Sequence, residues 1–217
     1  HGPVGQCVYE GLLAGVEQFA RRLSPLISKN AHETLAFQLD AGGFSLKGSL
    51  DHVFKEAMIR YRYALLKGRD LLTGWIHHLG LNALRAQGYP RRTLLAGLTG
   101  RCAGERKGVL HEYAPVEDSE KILEALLKRY WEGLRKALPF FPESSWTYAQ
   151  ALVVKQKPRQ SALEQARKAW EGTERSRGES ADPFYRLCFG STDPFDRAFE
   201  EISVEVFEPL LKSLGQI

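Results

Sequence analysis

Three residues on two predicted strands have the types and spacing of a metal site stripped of its ligands. Asp51 stands near the end of a first strand, Phe44 to Phe54, and Arg60 and Arg62 alternate along a second, Met58 to about Leu66. A metal-dependent phosphodiesterase built on such a pair needs an acid on the first strand and acid-x-Lys on the second. The acids hold Mg²⁺, and the lysine steadies the attacking water or the developing charge. Here both second-strand positions are arginine. A guanidinium has only N–H donors and stays protonated, so it cannot ligate a divalent cation. It does form strong charge-assisted bonds to phosphate. The pattern therefore points to holding a phosphate backbone and away from cutting it. One carboxylate is a poor Mg²⁺ site, so Asp51 reads either as a strand-end acid paired with Arg60 or Arg62 or as the remnant of a ligand set. Asp40 and Glu56 are the acids that would join it if the metal pair had migrated.

Arg60 and Arg62 are separated by Tyr61 and flanked by Ile59 and Tyr63, so in a strand both arginines share one face. Lys67, Arg69, Arg91 and Arg92 complete the set of candidate DNA-contacting residues, and Arg101, Arg106 and Lys107 form a further basic loop. Such runs line a nucleic-acid channel, meet an acidic neighbour or are simply solvated. His77 and His78 are adjacent, so on a helix they diverge by about 100° and cannot form the i, i+4 pair of a helical zinc site. Trp75, Trp131, Trp146 and Trp170 lie among Leu and Ala at helical spacing, the pattern of packed side chains more than of base-stacking platforms.

The elements that must position these groups follow from periodicity. Val8, Leu12, Val16, Phe19 and Leu23 recur at helical spacing over 4–28, with Pro25 at the end. Strands are predicted at 33–40, 44–54 and 58–66, joined by the Ala41-Gly-Gly43 turn and a turn at Lys55-Glu56. A helix over 70–87 is stopped by Gly88-Tyr-Pro90. Two more strands, at 92–98 and 108–114, complete an α/β core in residues 1–114 with a mostly antiparallel meander. Residues 115–217 read as a helical extension packed on that core: helices at 118–138, 146–155, 161–172, 183–189 and 196–214. Ser161-Ala-Leu-Glu164 is a plausible capping box, and 172–182 is a polar surface loop.

Composition bounds the function classes. Of 217 residues 43% are apolar and 26% charged, enough for a packed core, and the net charge is +4 with a pI of about 8.9. That is a mildly basic balance, suited to a module that meets nucleic acid or acidic subunits within something larger. Cys7, Cys102 and Cys188 have neither disulfide-framework nor zinc spacing, and a reducing cytosol is the simplest setting. No 18-residue apolar run spans a membrane, and His1-Gly-Pro-Val-Gly5 is not a signal peptide. With no initiator methionine, the chain is expected to be a piece of a longer protein. No GxxxxGK[ST] loop is present, so no nucleotide site is expected here.

The order of helix, three strands, helix and two strands resembles the restriction-endonuclease-like (PD-(D/E)XK-type) fold, with Asp51, Arg60 and Arg62 at the positions of its acid and acid-x-Lys. In nucleases of that group the next helix carries a Gln-Leu-x-x-Tyr-like motif. The corresponding stretch here is Trp75-Ile-His-His-Leu79, with Trp75 in place of the glutamine. More closely, the chain resembles the C-terminal part of the RecC family, the gamma chain of exodeoxyribonuclease V (RecBCD). The stretches that carry this are Gly2-Pro-Val-Gly5, Ile59-Arg-Tyr-Arg-Tyr-Ala-Leu-Leu66, Trp75-Ile-His-His-Leu79, Leu138-Pro-Phe-Phe-Pro-Glu-Ser144, Ala162-Leu-Glu-Gln-Ala-Arg167, Gly178-Glu-Ser-Ala-Asp-Pro-Phe-Tyr185 and Val206-Phe-Glu-Pro-Leu-Leu211. The resemblance implies a nuclease-like domain without a catalytic site, with Asp51, Arg60, Arg62 and Trp75 as degenerate positions and no metal. It implies RecB- and RecD-type subunits and DNA as partners, Mg and ATP used by those subunits and not here, and a bacterial cytoplasm. The two alternatives are an active Mg-dependent nuclease and a pure protein-interaction module.

Overall fold

A computed structural model describes residues 2–27, 33–85, 88–100, 107–174 and 176–216. The elements in chain order are α1 (Pro3–Ile27), β1 (Glu33–Ala41), β2 (Phe44–Val53), β3 (Met58–Leu65), α2 (Gly68–Leu84), β4 (Thr93–Thr99), β5 (Lys107–Tyr113), α3 (Ser119–Gly133), α4 (Pro142–Ala149), α5 (Arg159–Glu171), β6 (Gly172–Thr173), β7 (Ser176–Arg177), α6 (Pro183–Phe189), α7 (Arg197–Ser213) and β8 (Leu214–Gln216). A mixed α/β architecture results, with a six-stranded sheet in the order β1-β2-β3-β4-β5-β8. β1–β2, β2–β3, β4–β5 and β5–β8 are antiparallel, and β3–β4 is parallel. A parallel pair needs a crossover, and α2 supplies it.

The sheet is packed on both faces. β4 is buried over Thr93–Leu98, the continuous apolar run of a strand covered on two sides. On one face Phe19 and Leu23 of α1 pack on Ala96 and Leu98. Beside them Leu26 and Ile27 meet Phe54, Ile59 and Leu94. On the other face Leu71, Trp75, Leu79 and Ala83 of α2 join Leu95, Tyr113 and Leu123, together with Ile202, Val206, Phe207 and Leu210 of α7. A separate aromatic cluster, centred on Phe141 with Trp170, Tyr185 and Phe189 around it, ties α4 to α5 and α6.

Several sequence-based expectations change. The predicted helix over 70–87 begins two residues earlier and ends at Leu84, where Arg85 turns into the left-handed region (φ 47°). The helix expected over 146–155 starts at Pro142, because proline is preorganised for a first turn, and passes into a π turn at Gln150–Val154. Ser161 is not a cap: α5 opens at Arg159, with the Ala162 N–H donating to the Pro158 carbonyl at 3.0 Å. The 172–182 loop contains the small β6–β7 hairpin and a 3₁₀ turn. Helix α7 ends at Ser213, and the last residues return to the sheet as β8 on β5.

Candidate functional site

β2 carries a bulge where Asp51 sits. Its register with β1 runs Glu33↔Val53 and then Leu35↔Leu50, so Asp51 and His52 together face Thr34. His52 adopts φ 57°, and an extra residue of this kind bends a strand and re-aims its side chains. The Asp51 carboxylate accepts from the Thr34 hydroxyl at 3.0 Å. β2 leads through the tight turn at Lys55-Glu56 into β3, with Val53 opposite Met58. Arg60 then lies opposite Leu95 of β4, on the face covered by α2. The alternation predicted for Arg60 and Arg62 holds, and Tyr63 on the other face packs edge-on against Phe19 of α1 at 5.6 Å.

Asp51, Arg60 and Arg62 share one open cleft of about 600 Å³, whose walls also include His52, Tyr61, Arg69, Asp70 and Thr73. Arg62 does not pair with Asp51. It makes an ion pair with Asp70, whose other oxygen accepts from the Lys67 N–H at 3.0 Å, so Asp70 is committed to the first turn of α2. The Arg60 guanidinium makes no hydrogen bond or ion pair among the described residues. Burial pushes its pKa down, and the Asp51 charge opposes that. It stays a cation all the same, since guanidinium does not titrate in proteins. His77 borders the same group of charges. Burial lowers its pKa and the Arg60 charge adds to that, while Asp51 and the Thr73 carbonyl, 2.7 Å from Nδ1, oppose it.

The set does not suit a divalent cation. Among the described residues Asp51 and Asp70 are the only carboxylates lining the cleft, Asp70 is held by Arg62, and the guanidiniums beside them offer no oxygen donor to a metal. Among the described residues no group of three His, Cys, Asp or Glu side chains is disposed to hold a metal. Asp40 faces Ser45 in the β1–β2 register and Glu56 lies by Arg92 at 3.9 Å, and neither lines the cleft.

The other candidates separate. Arg69 lines this cleft and also a second one, of about 550 Å³, which Lys67 enters as well. Arg91 donates to Glu117 at 2.8 Å and Arg92 to the Glu56 carbonyl at 3.1 Å. They belong to the segment before β4 and line neither cleft. Trp75 is fully buried, stacked on His78 at 5.4 Å, and its indole N–H has no partner among the described residues. His78 is buried between the Thr93 hydroxyl at 2.9 Å and the Ala114 carbonyl at 3.0 Å. Arg101, Cys102 and Arg106 lie outside the described residues. Sequence reasoning misses Thr34 and Asp70, and it considers His77 only as one of two adjacent histidines that cannot form a zinc pair. Asp70 carries a usable signal: a predicted helix start so soon after β3 must sit beside that strand's end.

Among the described residues no helix is long and apolar enough to cross a membrane. A model of the RecC C-terminal domain family matches residues 1–153. The chain is 28% identical over 163 residues to the RecBCD enzyme subunit RecC of Mycolicibacterium smegmatis, covering 74% of this chain and 15% of that protein. To the RecBCD enzyme subunit RecC of Escherichia coli it is 24% identical over 204 residues, covering 89% of this chain and 17% of that one. The chain thus spans about one sixth of the length of these relatives. With the family match running through α1, the whole described sheet but β8, and the cleft between β3 and α2, the chain belongs to the RecC C-terminal domain family.

Proposed function

We propose that this is a non-catalytic, restriction-endonuclease-like domain of a RecC-type subunit, which helps assemble a RecBCD helicase–nuclease and guides DNA by phosphate contacts during double-strand break repair. The unit comprises the α/β core of residues 1–114 and the helical extension of 115–217 packed on it. The observation that carries the reading is the cleft where Asp51, Arg60 and Arg62 meet: there Arg60, like Arg69, makes no ion pair among the described residues, and it offers N–H donors where a metal would need oxygen ligands. Phosphate oxygens match guanidinium geometry, and the contact needs no base readout, so binding is sequence-independent and salt-dependent. The domain uses no cofactor of its own. Mg²⁺ and ATP are used by RecB- and RecD-type partners in the bacterial cytoplasm. The test is binding of labelled DNA to the chain at several salt concentrations. Arg60→Ala/Arg62→Ala is expected to weaken binding and flatten the salt dependence, and unchanged affinity and slope would remove DNA guiding from the assignment.

A second reading, a pure protein-interaction module, is favoured by α1. Its first half exposes Val4 (78%), Val8, Tyr9 (63%), Leu12 and Leu13, and an apolar stripe of that kind is a docking surface more than a solvated one. Val8→Ser/Leu12→Ser is expected to impair assembly with RecB- and RecD-type subunits while leaving DNA binding by the chain intact.

A further inference from the structure

β3 is the third strand of a six-stranded sheet, yet Tyr61, Arg62 and Tyr63 are exposed in succession, whereas its neighbour β4 is buried over Thr93–Leu98. The cause is a fork in the sheet. β2 and β3 pair at a single position, Val53 with Met58, and part beyond it. The bulge at His52 bends β2. The β1–β2 hairpin then leans onto α3, with Phe44 edge-on to Trp131 at 5.9 Å and Gly42 so close to Glu124 that a Cβ would not fit. Among the described residues β3 from Ile59 to Leu65 has no strand partner on the β2 side. Its register with β4 also slips between Tyr61 and Leu65, which puts the extra residues of a bulge in the same stretch. Unpaired N–H and C=O groups along a strand edge are a template for a further strand.

The two sides of this edge differ in chemistry. On the α1 side lies an open groove of about 460 Å³, lined by Val16, Phe19, Ala20 and Leu23 of α1 and by Tyr61 and Tyr63. On the α2 side lies the cleft that holds Arg60 and Arg69, neither of which makes an ion pair among the described residues. We propose that the β3 edge takes an extended segment of another protein as an added strand, one in which apolar and acidic residues alternate. Successive side chains of a strand point to opposite faces. One set therefore enters the α1 groove, and the alternate set meets Arg60 and Arg69. Backbone hydrogen bonds along the edge supply affinity and the alternation supplies specificity, as in other cases of strand addition. A phosphate backbone matches this surface on one side only. It accepts hydrogen bonds without donating them, so it leaves the edge carbonyls unpaired, and the α1 groove is walled chiefly by apolar side chains. The proposal stands apart from the phosphate-binding reading, although a peptide carboxylate and a DNA phosphate would compete for Arg60.

The probe is a labelled, end-capped peptide of alternating valine and glutamate, about ten residues long so that it spans a full strand, titrated into the chain and followed by fluorescence anisotropy. It is expected to bind about tenfold more tightly than a peptide of the same composition with its valines and glutamates in separate blocks. Two further versions carry N-methyl groups on every valine or on every glutamate. In a strand these nitrogens lie on opposite edges, so one version blocks the edge that meets β3 and is expected to bind about tenfold more weakly, while the other binds as the parent does. Ala20→Glu, at an exposed position in the groove, is expected to weaken the peptide about tenfold and to leave DNA binding unchanged. Equal binding of the alternating and block peptides, or of both methylated versions and the parent, would overturn the added strand. Ala20→Glu without effect on the peptide would overturn the use of the groove. DNA weakened by Ala20→Glu as strongly as the peptide would give the edge to nucleic acid instead. Absent peptide binding, with Arg60→Ala/Arg62→Ala still weakening DNA, would remove this proposal and leave the phosphate reading standing, and the reverse pattern would remove the phosphate reading alone.

Discussion

Arg62 and Asp70, eight residues apart, form an ion pair across the turn that carries β3 into α2. The pair ties a cleft arginine to a helix-start carboxylate and so divides the two arginines of β3. Arg60 is available to an incoming anion, and Arg62 must first exchange its partner. Asp70 is thus a restraint on phosphate binding. Asp70→Asn keeps an acceptor for the Lys67 N–H while removing the charge that competes for Arg62. It is expected to tighten DNA binding about three- to tenfold and to steepen the salt slope by up to about 0.7 for single strands. The cost is about 0.5–1 kcal/mol of stability from a lost helix-start charge. Titration of labelled DNA into the variant, with urea unfolding alongside, reads both. Weaker binding by the variant would mean that Asp70 supports the cleft and does not compete within it.

Cleavage is a separate matter. With Asp70 engaged by Arg62, Asp51 is the one carboxylate of the cleft left for a metal among the described residues, and its Oδ1 already accepts from Thr34. Incubated with Mg²⁺ or Mn²⁺, the chain is expected to leave single- and double-stranded DNA uncut over hours. Asp51→Ala is expected to change nothing in that assay. Cleavage by the unaltered chain that disappears in Asp51→Ala would establish a residual nuclease and overturn the non-catalytic reading.

Part of the cleft is legible in the amino-acid sequence. Alternation along Ile59-Arg-Tyr-Arg-Tyr63 puts both arginines on one face, because strand periodicity is local. The partner of Arg62 is not legible there, since it depends on how tightly the chain turns between Leu65 and Gly68. The bulge at Asp51-His52 is hidden for a similar reason: it is a property of register between β1 and β2, and nothing in the composition of either strand announces it. β8 escapes because Leu214–Gln216 is three residues long and becomes a strand only by pairing with β5. Arg91 and Arg92 read like any exposed basic pair, and only the fold brings Glu117 and Glu56 beside them. Charge runs tell where cations are, and only packing tells which remain uncommitted.

Trp75 of α2 is fully buried, packed against His78 one turn on and Tyr113 of β5. Trp75→Ala is expected to cost about 3–5 kcal/mol through a cavity and lost transfer energy. Trp75→Phe should cost much less, under about 1.5 kcal/mol, because the indole N–H it removes has no partner among the described residues. Urea denaturation of the two variants separates the contributions, and a Trp75→Phe loss as large as that of Trp75→Ala would show that the N–H is engaged after all.

His78 makes stability depend on pH. It is buried, and burial lowers its pKa to about 4, with the Arg91 charge acting in the same direction and the Ala114 carbonyl opposing. In the unfolded chain it titrates near 6.5. The folded state therefore binds the proton less readily than the unfolded state. The contribution is fully present above about pH 6.5 and is lost as pH falls toward 4, since stability drops wherever the unfolded chain holds more protons. One such group is worth about 2 kcal/mol between pH 7 and pH 5. His77 and His111, also lowered chiefly by burial, add to the same slope, whereas Glu143, raised by burial and by Glu179, acts against it. The measurement is urea unfolding at pH 7 and pH 5. His78→Gln is expected to be less stable than the unaltered chain at pH 7, because it disturbs the bonds to Thr93 and Ala114, and to lose less on going to pH 5. The gap between the two proteins should therefore narrow with acid. A gap that is constant across that range would show that His78 does not carry the proton linkage.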